Sequence, residues 1–337
     1  MIRLIFLTLV SVQTLCAYYP NHFSAPLQKI AFGSCNKEYL PQPLWDVIHS
    51  NQPDLWIWIG DNIYGDSMDP LIVKKRYEQQ TQHRQYQSFR ESVPIIGTWD
   101  DHDYGWNHAG AEYPAKVETR ELALDFLEYP KNHPIREREG LYATHSFGPD
   151  GRQVQVILLD GRYFAQREKP SNTALLGPKQ NDWLLTTIRE STAEVILIVS
   201  SIQVIPKDHP YEKWANFPNA RDWLLELLDD ASLPHTILLS GDRHFHEMSQ
   251  IALPVSGRTL LEMTSSGLTH SWENLKEEAN CYRIGKFYNQ IGFGMLQFEW
   301  NHRTVSIRAE IRNSINNAVL RHDFSLPITP ALSKARN

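Results

Sequence analysis

Cysteine is scarce: Cys16, Cys35 and Cys281 are the only three in the chain, too few for a fold held by a disulfide framework. Lys and Arg are scattered, and the formal net charge is −6, which excludes a basic nucleic-acid or lipid-headgroup surface as the basis of function. No apolar run reaches the ~20 residues that a membrane-spanning helix needs. A Gly-x-Ser-x-Gly elbow is missing, which removes a serine-hydrolase reading, and so is a phosphate-cradling Gly-x-x-x-x-Gly-Lys loop. The chain also lacks internal repeats, low-complexity tracts and linker-like stretches. What it has is the balance of a folded globular protein, 42% hydrophobic and 21% charged over 337 residues, enough for one large core.

Met1-Ile2-Arg3, the apolar run Leu4 to Val12 and the segment Gln13 to Ala17 have the three-part layout of a secretory signal. Export to a periplasmic or extracellular location is expected, with residues 1–17 as the signal and 18–28 as an extension. Lipid anchoring at Cys16 is less favoured than cleavage near Cys16 or Ala17, because Leu15 is too large for the position before a lipidated cysteine. Cys35 and Cys281 would then remain in an oxidising compartment, where they could form a bridge.

Short Ile/Val/Leu-rich runs read as buried strands at Lys29 to Ser34, Leu55 to Gly60, Val93 to Thr98, Val154 to Leu159, Val195 to Ser200, His235 to Ser240 and Thr259 to Thr264. Gly294 to Trp300 and Thr304 to Arg312 alternate and predict a hairpin through Asn301-His302-Arg303. Helical patterns lie between, at about Pro43 to Ser50, Leu71 to Arg90, Thr119 to Glu128, Pro178 to Glu190 and Asn219 to Asp229. This alternation implies central sheets covered by helices. Residues 265–290 are polar and irregular and read as a surface excursion.

Three strands run straight into acids. Leu55–Gly60 leads to Asp61-Asn62-Ile63-Tyr64, Val93–Trp99 to Asp100-Asp101-His102-Asp103, and His235–Gly241 to Asp242-Arg243-His244. In an α/β sheet, ligands bind beyond the carboxyl ends of strands, so these loops should converge with Gly33-Ser34-Cys35. Carboxylates crowded into one pocket repel by several kcal/mol unless something positive neutralises them. Aspartate oxygens, imidazoles, a phenol and a thiolate suit a hard trivalent iron beside a second divalent ion better than a four-ligand structural zinc. A two-metal centre of that kind supports hydrolysis of phosphoryl or acyl esters. For Asp66 and Asp103, helix capping is as good a reading as a site role.

These segments resemble the PhoD-like, alkaline phosphatase D type of metallophosphatase. The resemblance rests on Phe32-Gly33-Ser34-Cys35, Gly60-Asp61-Asn62-Ile63-Tyr64-Gly65, Thr98-Trp99-Asp100-Asp101-His102-Asp103-Tyr104-Gly105 with Asn107, Leu159-Asp160-Gly161-Arg162-Tyr163, Gly177-Pro178, and Ser240-Gly241-Asp242-Arg243-His244. It implies an α/β fold, a four-layer α/β/β/α sandwich with two mixed central sheets, as one domain over residues 29–325 followed by a tail at 326–337. It further implies a metal-dependent phosphohydrolase that cleaves phosphate esters with a metal-bound hydroxide, with Fe3+ and Ca2+ as cofactors.

Carried over residue by residue, the resemblance makes Cys35, Asp61, Tyr64, Asp100, Asp101, Asn107, Asp242 and His244 metal ligands. His102 and Asp101 become catalytic, and Arg162 and Arg221 meet substrate phosphate, an ordinary salt bridge being an equal reading for either arginine. The family commonly has an acid where this chain has His108. Phosphodiester or phospholipid hydrolysis and a non-catalytic binding protein on the same fold remain alternatives. So does a Cys35–Cys281 bridge, which would remove Cys35 from the metal.

Overall fold

The computed structural model describes residues 25–166 and 175–328. The expected signal at 1–17, Cys16, most of the 18–28 extension and all but the first residues of the 326–337 tail lie outside these. Twelve strands are present among the described residues: β1 (Lys29–Gly33), β2 (Leu55–Ile59), β3 (Ile95–Thr98), β4 (Ala143–Phe147), β5 (Val154–Leu158), β6 (Val195–Val199), β7 (His235–Ser240), β8 (His246–Ala252), β9 (Thr259–Ser265), β10 (Gly292–Trp300), β11 (Thr304–Asn313) and β12 (Ala318–Pro327). The α-helices are α1 (Leu44–Ser50), α2 (Pro70–Gln82), α3 (Arg84–Arg90), α4 (Asp101–Tyr104), α5 (Lys116–Phe126), α6 (Pro178–Arg189) and α7 (Pro218–Leu228).

The strands form two six-stranded mixed sheets, ordered β12-β11-β10-β1-β2-β3 and β4-β5-β6-β7-β9-β8. Within the first sheet β1, β2 and β3 run parallel, while β10, β11 and β12 form an antiparallel meander. In the second, β5, β6, β7 and β9 run parallel between antiparallel edges. Every residue of β2, β5 and β6 is buried, as expected of parallel strands covered on both faces.

Side chains alternate across a strand, and here the alternation separates two cores. Val195, Leu197 and Val199 join the core shared with the first sheet, whereas Ile196 and Ile198 pack with Leu184, Ile188, Leu224 and Leu228 of α6 and α7. On the far side of the first sheet, Trp45 of α1 meets Trp56 and Trp58 of β2 and Tyr86 and Phe89 of α3, with ring centroids 4.8–5.4 Å apart. Helices thus cover both outer faces, giving the four-layer sandwich, and three of the tryptophans serve as core.

Several elements depart from the sequence reading. The helix expected over Leu71–Arg90 breaks at His83, whose backbone is extended (φ −64°, ψ 120°). Buried Gln80 closes α2 by bonding Asn36 and Gln42, and α3 then turns its aromatics into the tryptophan cluster. The C-terminal hairpin gains a third strand, β12, and β4 and β8 were not anticipated. Cys35 and Cys281 are both free thiols, the first buried and the second exposed, so the alternative of a bridge between them is not realised. No helix among the described residues is long and apolar enough to cross a membrane.

Candidate metal centre

The two sheets meet at the carboxyl ends of their parallel strands. Ser34 bridges Ser266 and Thr98 Oγ1 donates to the Leu159 carbonyl, while within the second sheet Gly241 N donates to the Ser201 carbonyl at 2.8 Å. The loops leaving β1, β2, β3, β5, β6, β7 and β9 are thereby drawn to one place. Their backbones are strained. Cys35 (φ 61°), Asp61 (47°), Asp66 (44°), His108 (65°), Asp242 (64°) and His244 (54°) are six of the nine described non-glycine residues with positive φ, a concentration typical of functional sites. Gly60 (φ 105°) permits the approach, because a Cβ there would lie 2.7 Å from that of Asp100.

Three overlapping groups of ligating atoms result, each mutually within 4.8 Å: Cys35–Asp61–His244, Asp61–Asp101–His102 and Asp100–Asp101–Asp242. At the first pole the Cys35 thiol donates to Asp61 Oδ2 at 3.4 Å and lies 3.0 Å from Ser266 Oγ. Tyr64 Oη is 3.4 Å from the same Asp61 oxygen and 3.1 Å from Nε2 of both His244 and His270. Asp61 and Asp101 stand between the poles. A fourth group, Asp101–His108–Glu212, extends the cluster to its rim.

Electrostatics are hostile to this arrangement in a chain without cations. Burial, reinforced by Asp101, pushes Asp61 up to about 6 and Asp242 up to about 7. Burial also raises Asp100 well above the usual carboxylate range, and it lifts the Cys35 thiol and Tyr64 phenol with help from Asp61. His244 is pulled down to about 4 by burial. Asp61 Oδ1, Asp100 Oδ2 and Asp101 Oδ1 are buried without a hydrogen-bond partner. Such orphaned oxygens cost about 1–3 kcal/mol each or more. Cations supply what the protein does not, and the mixed sulfur, nitrogen and oxygen donors fit a two-metal centre.

The remaining expected site residues occupy varied places. His102 Nδ1 lies 2.5 Å from the Asp66 carboxylate, and its ring stacks on Tyr64 with centroids 4.2 Å apart. Asp103 caps α4: it accepts from the backbone N–H groups of Asp100 and Asn62, holding the β2 and β3 loops together. Asn107 is exposed on the turn before His108, whose own backbone N–H donates to Asp101 Oδ2. Arg162 is buried, not on the rim, donating from Nε to Asp100 at 2.6 Å and from Nη1 to Glu212 at 2.9 Å. Asp160 holds its loop by accepting from the backbone of Arg162 and Tyr163 and from Trp99 Nε1. Arg221 donates to the carbonyls of Val204 and Ile205.

Glu212 and His270 were missed from sequence, and His108 was noted only as a departure. His270 follows β9 by five residues, so the strand-end rule that found the other loops applied there too. Nor is the 265–290 segment a mere surface excursion. Ser266, Leu268 and Glu278 are buried, and Trp272 N donates to the His244 carbonyl.

Comparison with known proteins agrees with this architecture. Alkaline phosphatase D of Bacillus subtilis (strain 168) is 22% identical over 242 residues, covering 60% of this chain and 40% of that protein. The chain therefore spans under half of that relative's length. A solved PhoD structure superposes with a TM-score of 0.69 at 17% identity, over 90% of this chain and 70% of that one. A dimetal phosphatase from Danio rerio gives 0.53 at 12% identity, over 90% of this chain and 100% of that one. Both likenesses are in fold. The model of the PhoD-like phosphatase family matches residues 30–290, a span that begins in β1 and takes in every loop of the acidic cluster, and the chain belongs to that family.

Proposed function

We propose that this chain is an exported, metal-dependent phosphoric ester hydrolase of the alkaline phosphatase D kind. The observation that carries the reading is the set of buried, partnerless oxygens on Asp61, Asp100 and Asp101, beside a thiol, a phenol and an imidazole. Cys35, Asp61, Tyr64 and His244 would hold iron(III), since thiolate and phenolate on one ion suit that oxidation state. Asp100, Asp101, Asn107 and Asp242 would hold a hard second cation such as Ca2+, with Asp61 shared. Bound there, the pair supplies Lewis-acid polarisation of a phosphoryl oxygen and a hydroxide nucleophile near neutrality.

The protein's own groups do the rest. Asp66 fixes His102 at Nδ1, which leaves Nε2 to hand a proton to the departing alcohol. Burial pulls the His102 imidazole down, but in the metal-free chain Asp61 and Asp66 outweigh it and raise it to about 10. Arg162 orients Asp100 in place of touching substrate, and Arg221 braces the loop after β6.

Metal-replete protein should hydrolyse p-nitrophenyl phosphate or its bis ester, stop on chelation and recover on metal return. Asp242→Asn should abolish turnover and lower metal content while the circular dichroism spectrum stays. Retained turnover in that variant overturns the assignment. Absence of hydrolysis of any phosphoester, phospholipids included, by the metal-replete protein would favour a binding role.

A further inference from the structure

The site needs a positive side chain that substrate can reach, and the obvious ones are occupied. Arg162 is committed to Asp100 and Glu212. Arg243 is buried against Glu278 at 2.5 Å and caged by Tyr211, Trp272 and Phe245. Lys213 Nζ donates to the Tyr211 carbonyl. Lys37 is different. It leaves the β1 loop two residues after Cys35, is only partly buried, and places its ammonium 5.1 Å from the centre of the Tyr64 ring.

Its backbone is fixed from the other sheet: Lys37 N donates to Thr269 Oγ1 at 2.8 Å, beside His270. The His102 ring stacks on Tyr64 as well, so Tyr64 carries contacts from both a lysine and an imidazole while its Oη points into the cluster. The Lys37 charge also helps pull down His244 and His270 after burial has done most of the work, which places it within electrostatic range of the first pole. A cation on a ring face keeps its N–H donors available for an anion, because the ring accepts no classical hydrogen bond.

We propose that Lys37 is a substrate-contacting residue that binds a non-bridging phosphoryl oxygen, making the site favour a doubly charged monoester phosphate over a singly charged diester. The inference rests on the phosphohydrolase reading above. A phosphate monoester carries close to two negative charges above neutral pH, whereas a diester keeps one. An ammonium acts on phosphate as a point charge, so its attraction scales with that difference.

The test compares wild-type, Lys37→Gln and Lys37→Arg proteins, each metal-replete, at fixed salt. Lys37→Gln should raise KM for p-nitrophenyl phosphate about tenfold, the effect of one charged hydrogen bond partly exposed to water. KM for the bis ester should rise no more than about twofold, and kcat for both should change less than KM. The affinity for inorganic phosphate, measured by calorimetry, should weaken in parallel, and Lys37→Arg should recover most of it. Metal content should be unchanged. Equal losses on both esters, a loss of metal, or unchanged phosphate affinity would overturn the proposal. If wild-type protein cleaves neither ester, the hydrolase reading fails on its own, and phosphate calorimetry still decides whether Lys37 binds the anion.

Discussion

Replacing Arg162 by methionine separates two roles for this residue, phosphate ligand and buried counterion. The methionine keeps most of the apolar stem and removes the charged head together with its hydrogen bonds to Asp100 and Glu212. The guanidinium is 1% exposed and spans Asp100, whose side chain is fully buried, and Glu212, at 3%. Removing one partner of a buried pair costs about 3–5 kcal/mol, because the charge left behind is uncompensated. For a domain of this size each kcal/mol moves the melting midpoint by about 2 °C, so metal-free Arg162→Met should melt about 6–10 °C below metal-free wild type. Loading with metal should shrink the gap, since a cation on Asp100 replaces part of the lost charge. Differential scanning calorimetry on chelated and metal-loaded protein measures both quantities. A metal-free variant melting within about 2 °C of wild type, with KM for phosphate esters raised, would refute the counterion argument and return Arg162 to the substrate.

Two further perturbations probe the metals. Tyr64→Phe keeps the ring that His102 and Lys37 both contact but removes the oxygen, so iron-loaded protein should lose its visible phenolate absorption while its fold survives; an unchanged spectrum would take Tyr64 off the iron. Metal-free protein should lose stability as pH rises from about 6.5 towards 10. In that window the folded chain holds protons that the unfolded chain has released: Asp242 is raised to about 7, His102 to about 10, and Cys35 above the usual thiol range. Stability falls with pH wherever the folded state binds more protons. His244, lowered to about 4, acts with the opposite sign but only below about 6.5, outside that window. Urea midpoints taken across the range, with and without metal, check this; a flat metal-free profile would count against the buried acids being the source.

How far the sequence could be read follows from burial. Central parallel strands such as Leu55–Ile59 and Val195–Val199 are covered on both faces, so they appear as unbroken apolar runs, and the acids after them stand out. Edge and half-polar strands do not. β12 alternates exposed and half-buried residues, and β8 buries Glu247 and Ser249 among its inward positions, which hides its period. The break at His83 has no glycine or proline to announce it; what stands beside it is buried Gln80, which accepts from the distant Asn36 and Gln42. Glu212 escaped notice for a related reason: it sits in a long loop between β6 and α7, placed by its bonds to Arg162 and His108 and by no local pattern.

Both poles of the acidic cluster draw from both sheets. Cys35, Asp61 and Tyr64 come from the first sheet, and His244 and His270 reach them from the second. Asp100 and Asp101 leave β3 in the first sheet, while Asp242, Arg162 and Glu212 approach from the second. Asp61, Asp101 and His102 all leave the first sheet, but the groups at the two poles, Cys35–Asp61–His244 and Asp100–Asp101–Asp242, each need a residue of the second, so a cation at either pole ties the two sheets together at the edge where the apolar core ends. The strained backbones and orphaned oxygens lie along that same edge. Their cost is borne by the apolar core that the two sheets share and, once metal is bound, by coordination. Metal affinity and sheet-to-sheet stability are therefore one coupled quantity in this chain, and a substitution that loosens the seam, such as Thr98→Val, which removes the hydroxyl donated across the sheets to the Leu159 carbonyl, should weaken metal binding without replacing a ligand.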